Sequence, residues 1–128
     1  VQACIAHLAD QGYREFEVLL SAPHMWPVDF DAQARRSLAQ ALQQSGTRIV
    51  SLNAGGFDNN LASPAENVRA FARGYLTAAI DLAADLGVGD IVMAPGIGRP
   101  LMPPPREHML GWFHAGMDIL VRHGFAKA

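Results

Sequence analysis

The sequence predicts a parallel α/β fold with its elements in the order αβαβαβα. Three observations carry that expectation. Strand-length apolar runs occur at Phe16-Glu17-Val18-Leu19-Leu20, Ile49-Val50-Ser51-Leu52-Asn53 and Ile91-Val92-Met93-Ala94-Pro95. They are nearly continuous rather than alternating, the habit of parallel strands covered on both faces. Stretches of helical periodicity separate the runs. The connections are also asymmetric: helix-to-strand turns are tight and carry Gly12, Gly46 and Gly87, whereas residues 21–30, 54–62 and 96–105, leading from strand to helix, are long and varied. Long loops cost closure entropy and are usually kept for function. In parallel α/β folds ligands bind outside the carboxyl ends of the strands, where these loops converge.

The helices follow in order. The chain opens in one with Cys4, Ile5 and Leu8 on its apolar side. Residues 31–45 place Ala34, Leu38, Ala41 and Leu42 on one stripe, with Arg35, Arg36, Gln40 and Gln43 elsewhere. Ser63-Pro64-Ala65-Glu66 reads as a capping box with proline at the first helical position. The helix it opens has a stripe for burial, Val68, Phe71, Tyr75, Ala79, Leu82 and Leu86. Its opposite ridge, Arg69, Arg73, Thr77, Asp81 and Asp85, is expected to be exposed. Arginines near its start and aspartates near its end oppose the helix dipole, so packing must stabilise it. A last helix, over 106–123, buries Met109, Trp112, Phe113, Gly116 and Leu120. The glycines after the second and third helices suit left-handed caps.

Composition narrows the function. Of 128 residues 50% are hydrophobic and 17% charged, enough apolar material for a core and too much for disorder. Ten basic residues face 12 acidic ones without a run of either sign, so neither nucleic acid nor an anionic membrane is an expected partner. No apolar run approaches the roughly 20 residues that span a bilayer, and no basic leader with a following apolar stretch opens the chain. The single cysteine, Cys4, cannot form an internal disulfide. A cytoplasmic protein is expected.

Several residues could do chemistry. His24 and Trp26 lie in a loop stiffened by Pro23 and Pro27. The imidazole could bind a metal or exchange a proton, and the indole could wall a sugar ring; alternatively His24 caps a turn and Trp26 closes the end of the core. Glu17, inside the first strand, could hold a ligand or orient a neighbouring group if it faces the sheet interior, or pair with Arg14 or Arg48 if it faces outward. Asn53 ends the second strand before Ala54-Gly55-Gly56, where its amide could bind a hydroxyl or make an Asx turn. Arg99, in Ala94-Pro95-Gly96-Ile97-Gly98-Arg99, could clamp a phosphate or carboxylate, or remain solvated. That loop is neither a phosphate-binding P-loop nor a dinucleotide fingerprint. His108 and His114 sit roughly 240° apart around their helix and cannot share a metal.

The segments Glu-Val-Leu-Leu-Ser-Ala-Pro-His-Met-Trp-Pro, Ile-Val-Ser-Leu-Asn-Ala-Gly, Ala-Ala-Asp-Leu-Gly and Asp-Ile-Val-Met-Ala-Pro-Gly resemble the sugar phosphate isomerase/epimerase family, within the xylose isomerase-like TIM barrel superfamily. The likeness spans nearly the whole chain. It implies a partial (βα)8 barrel: a full one takes about 250 residues, and residues 1–128 match a single domain lacking the first strand and the last four βα units. The three strands then correspond to the second, third and fourth of the barrel. The resemblance implies a divalent cofactor (Mn, Mg, Co or Zn) in the full-length parent, held with two proton-moving glutamates on strands five to eight. No metal ligand and no catalytic residue is therefore expected here, and the segment alone should be inactive. His24, Trp26, Asn53 and Arg99 are the expected substrate contacts, with Glu17 behind them.

The function expected is thus part of a metal-dependent sugar (phosphate) isomerase or epimerase working by proton transfer next to a carbonyl. One alternative is a non-catalytic truncated barrel piece or small-molecule-binding module, self-associating through exposed barrel edges. A less favoured one is an endonuclease IV-like phosphodiesterase; its histidine zinc ligands would fall at Asn53 and Ala94-Pro95-Gly96, which do not supply them.

Overall fold

Burial alternates along the first strand: Phe16, Val18 and Leu20 turn inward while Glu15, Glu17 and Leu19 stay exposed. That period of two means one face of the sheet is packed and the other is open. The computed structural model describes residues 1–55, 59–96 and 101–127. Its elements are α1 (Gln2–Asp10), β1 (Glu15–Leu19), α2 (Ala32–Ser45), β2 (Arg48–Asn53), α3 (Glu66–Leu86), β3 (Asp90–Val92) and α4 (Arg106–Phe125). The strands form one parallel sheet in the order β1-β2-β3.

The core lies between this sheet and the helices. Val18 and Leu20 of the first strand and Ile49, Leu52 and Ala54 of the second join Leu38, Leu42, Tyr75, Ala79, Leu82 and Leu120 in one cluster. Fully burying a leucine contributes about 1.5–3 kcal/mol, so this one-sided layer is the main source of stability. The asymmetric connections are present as expected. Asp31 caps α2 by accepting from the Ala34 amide at 2.7 Å. Gly46 and Gly87 end α2 and α3 in the left-handed conformation, at φ 61° and 67°.

Five expectations are corrected. The strands are not covered on both faces: Leu19 and Val92 remain 49% and 47% exposed. The third strand is shorter than its apolar run and starts one residue earlier, at Asp90. Cys4 is exposed rather than packed; of its stripe, Ile5 is the buried residue.

The capping box does not form either. Ala65 occupies the N-cap position, while Ser63 Oγ accepts from the Ala65 amide at 3.2 Å in a local turn. Glu66 pairs forward with Arg69 and Arg73 instead of reaching back. The buried stripe of α3 is accordingly rotated to Ala72, Tyr75, Leu76, Ala79, Leu82 and Ala83, leaving Phe71 exposed.

The charged ridge of α3 ties it to its neighbours. Arg69 lies over the Trp112 ring, 4.9 Å from its centroid, and donates to the Ser63 carbonyl at 2.6 Å. Asp85 pairs with Arg35 of α2 at 2.7 Å, and Asp81 with His123 and Lys127 at 2.8 and 3.1 Å. Charges that oppose the dipole of α3 thus make cross-helix contacts. Burial alone would raise the Asp81 carboxyl, but the His123 and Lys127 hydrogen bonds outweigh it and hold the pKa below the ordinary aspartate value.

Candidate functional site

A one-residue bulge decides which side chains reach the open face. Phe16 pairs with Ile49 but Glu17 pairs with Ser51, so Val50 is skipped. The skip keeps Leu52 in the core and brings Ser51 and Asn53 to the face that carries Glu17. The next strand continues both rows, Asp90 beside Ser51 and Val92 beside Asn53.

The three polar side chains form one network. Glu17 accepts from Ser51 Oγ at 2.8 Å and from Asn53 Nδ2 at 2.9 Å. Asn53 Oδ1 accepts from the Gly55 amide at 2.9 Å. A carboxylate on one side and a backbone N–H on the other leave only one amide orientation. Among the described residues one Nδ2 hydrogen and one Oδ1 lone pair of Asn53 remain, the complement of a hydroxyl that both accepts and donates. The Asx turn and the open-face position therefore coexist. A Cβ at Gly55 would lie 2.7 Å from Asn53 Oδ1, so a side chain there would force the amide aside.

The Asn53 hydrogen bond, then that of Ser51, holds the Glu17 carboxyl below the ordinary glutamate value, against a small opposing effect of burial. Neither basic residue considered as an outward partner takes it. Arg48 binds Glu15, Nε to Oε1 at 3.0 Å, and Arg14 donates to the carbonyls of Ala9 and Tyr13 at 2.6 and 2.9 Å.

The remaining candidates divide. Trp26 is half-buried, tilted against Tyr75 with centroids 4.8 Å apart and stacked near Phe71 at 6.4 Å. Tyr75, almost fully buried, donates to the Leu20 carbonyl at the end of the first strand. Burial raises its phenol pKa, with a smaller lowering contribution from the Asn59 side chain. Asn59 in turn donates to the Ala54 carbonyl beyond the second strand, at 3.1 Å. Trp26, Tyr75 and Asn59 thus fix two of the long loops to α3. His24 is exposed in a separate depression of about 460 Å³ beside Gln2, Phe30, Asp31 and Ser37, whose lining includes none of Glu17, Ser51 and Asn53. Arg99 lies outside the described residues.

His108 and His114 are both exposed on α4, against Trp112 and Phe113 respectively. Among the described residues no three His, Cys, Asp or Glu side chains come close enough to hold a metal ion. The donors gathered on the open face, one carboxylate with a hydroxyl and an amide already bound to it, do not fit a divalent centre. Ser51, Asn59 and Tyr75 are contributors that the sequence reading passed over. A hydroxyl inside an otherwise apolar strand was the available signal for Ser51.

Parallel strands in sequential order, helices on one face and, on the other, a polar network running from the middle of the first strand to Asn53 at the end of the second define a segment of a βα barrel. Residues 5–124 match the xylose isomerase-like TIM barrel family, and the chain belongs to that family. Among solved structures, a D-tagatose 3-epimerase-like protein superposes with a TM-score of 0.84 at 18% identity, over 99% of this chain and 46% of that one. D-psicose 3-epimerase from Clostridium cellulolyticum H10, solved with D-tagatose, gives 0.77 at 16% identity, over 98% and 43%. D-allulose 3-epimerase from Methylomonas sp., in complex with D-allulose, gives 0.74 at 22% identity, over 98% and 42%. At these identities the likeness shows the fold, and the chain spans less than half the length of each. A search of curated proteins gives no match. Among the described residues no helix is long and apolar enough to cross a membrane.

Proposed function

We propose that residues 1–128 form the substrate-contacting portion, the second to fourth strands, of a metal-dependent sugar or sugar-phosphate isomerase or epimerase of the cytoplasm. The reaction is proton transfer at the carbon next to a carbonyl. The Glu17–Ser51–Asn53 network carries this reading: it sits on the open face, toward the strand ends where barrels bind ligands, and it offers a paired donor and acceptor suited to a sugar hydroxyl. Asn53 contacts the substrate, Glu17 orients Asn53, Trp26 and Arg99 contribute from the loops, and His24 stands apart in its own depression. The structural neighbours bind D-tagatose and D-allulose, which supports a sugar-type ligand. The divalent ion and the acid/base pair belong to strands other than these three, so no chemical step falls to a residue of this chain.

A second reading is a small-molecule-binding module without catalysis, self-associating through its open sheet edges. The exposed Leu19 and Val92 of the open face favour it.

Exchange of the proton next to the carbonyl, followed by NMR in D2O with ketohexoses and Mn²⁺, Mg²⁺ or Co²⁺, tests the first reading. It is expected in a complete barrel carrying this segment and not in residues 1–128 alone. Binding without exchange in the complete barrel would favour the second reading.

A further inference from the structure

We propose that Glu17 is a specificity-determining residue, which through its contact with Asn53 selects an uncharged, hydroxyl-bearing ligand and rejects a phosphorylated one. The inference rests on the proposed function and deepens it by choosing between the sugar and its phosphate ester.

The geometry points to this in three ways. Glu17 is the immediate neighbour of the Asn53 amide, so any group bound to the free Nδ2 hydrogen lies close to a carboxylate. The partners of Glu17 are a hydroxyl and an amide, which orient its charge without neutralising it. The rest of the open face adds negative charge. Asp90 stands beside Ser51 in the row that contains Glu17, and Arg48, the cation in register with this face, is engaged by Glu15. A carboxylate kept ionised by its two donors repels a phosphate throughout the neutral range. Over a separation of about 8 Å across an exposed face such repulsion weakens binding by about twofold at physiological salt and about fourfold at low salt, while a neutral hydroxyl is unaffected. The carboxylate also fixes which Asn53 atoms face the ligand, so one residue sets both orientation and charge selection.

The test uses ¹⁵N-labelled protein of residues 1–128, titrated with D-tagatose, D-tagatose 1-phosphate and D-tagatose 6-phosphate. The Asn53 side-chain amide and the Gly55 N–H are followed by NMR. D-Tagatose is expected to shift both signals, and each phosphate ester to bind about two- to fourfold more weakly, the more so the lower the salt. Glu17→Gln, which can still accept a hydrogen bond but carries no charge, should bring that ratio close to one and remove its salt dependence. A variant that merely loosened the strand would weaken all three ligands together and leave the ratio where it was. Equal or tighter binding of either ester, or an unchanged ratio in Glu17→Gln, would overturn the inference and leave the sugar-site reading standing. If none of the three ligands moved the Asn53 or Gly55 signals, the sugar-site reading would fail and this inference with it.

Discussion

The two faces of the sheet are built from the same three strands, yet they answer to different physics. On the packed face Val18, Leu20, Ile49 and Leu52 are buried under the helices, with Leu52 at 0% exposure. On the other face Glu15–Arg48 and Glu17–Ser51–Asn53 make polar contacts in the open, while Leu19 and Val92 stay about half exposed. Volume and complementarity govern the first; hydrogen-bond geometry and charge govern the second. A structural change should therefore be costly on one face and a functional change should be concentrated on the other.

The largest expected effect contrasts two leucines. Leu52→Ala should destabilise the chain by about 2–5 kcal/mol through lost burial and a residual cavity, and Leu19→Ala by less than about 1 kcal/mol. Urea unfolding measures both. Equal costs would mean that the open face is covered in solution, and light scattering across a concentration series would then show self-association. Tyr75→Phe comes next, at about 1–2 kcal/mol. It leaves the ring packed against Trp26 and removes the hydrogen bond to the buried Leu20 carbonyl. An unaltered midpoint would show that the hydroxyl does not bolt the loop to α3.

Glu17→Gln is a smaller effect with a distinctive pH signature. The folded-state pKa of Glu17 is depressed, so its contribution to stability is fully present above the unfolded value and is lost as pH falls through the folded value. The gap between the native protein and Glu17→Gln should be widest near neutrality and should close in acid. A gap that stayed constant across the series would mean that the Asn53 and Ser51 contacts do not favour the charged carboxylate.

The helical layer was largely legible in the sequence and the polar face was not. Leu38 and Leu42 recur at the helical period, and Gly46 and Gly87 mark the ends, because packing and left-handed caps leave local signatures. The Glu17 network depends on the skipped Val50. A single bulge exchanges the faces of every later residue, and nothing in Ile49-Val50-Ser51-Leu52-Asn53 announces it. The capping box misled for a related reason. Ser63 and Glu66 have the right spacing, but Arg69 and Arg73 compete for the carboxylate from a turn or two further on, and only the folded helix brings them there. Near-continuous apolar runs predicted strands with two covered faces, whereas the helices of this chain cover one. The exposed Leu19 and Val92 are the residue of that mismatch.

The smallest expected effect is none at all. Mn²⁺, Mg²⁺ or Co²⁺ titrated into residues 1–128 should not raise the melting temperature with concentration, because a ligand stabilises the native state only where that state offers a site. The reason lies in the sheet. The acid that points out of the middle of the first strand is bound to Ser51 and Asn53, and Asp90 stands on the far side of Ser51, two strand spacings or roughly 10 Å away. Among the described residues no third His, Cys, Asp or Glu joins them to complete a site, and Glu17 would have to give up Ser51 and Asn53 to serve an ion. The open face would then remain a surface for recognising hydroxyls. A saturable rise in melting temperature would instead require Glu17 to leave Asn53 for the ion. In that case Glu17→Gln should abolish the rise and leave the unliganded melting temperature within a few degrees of the native one.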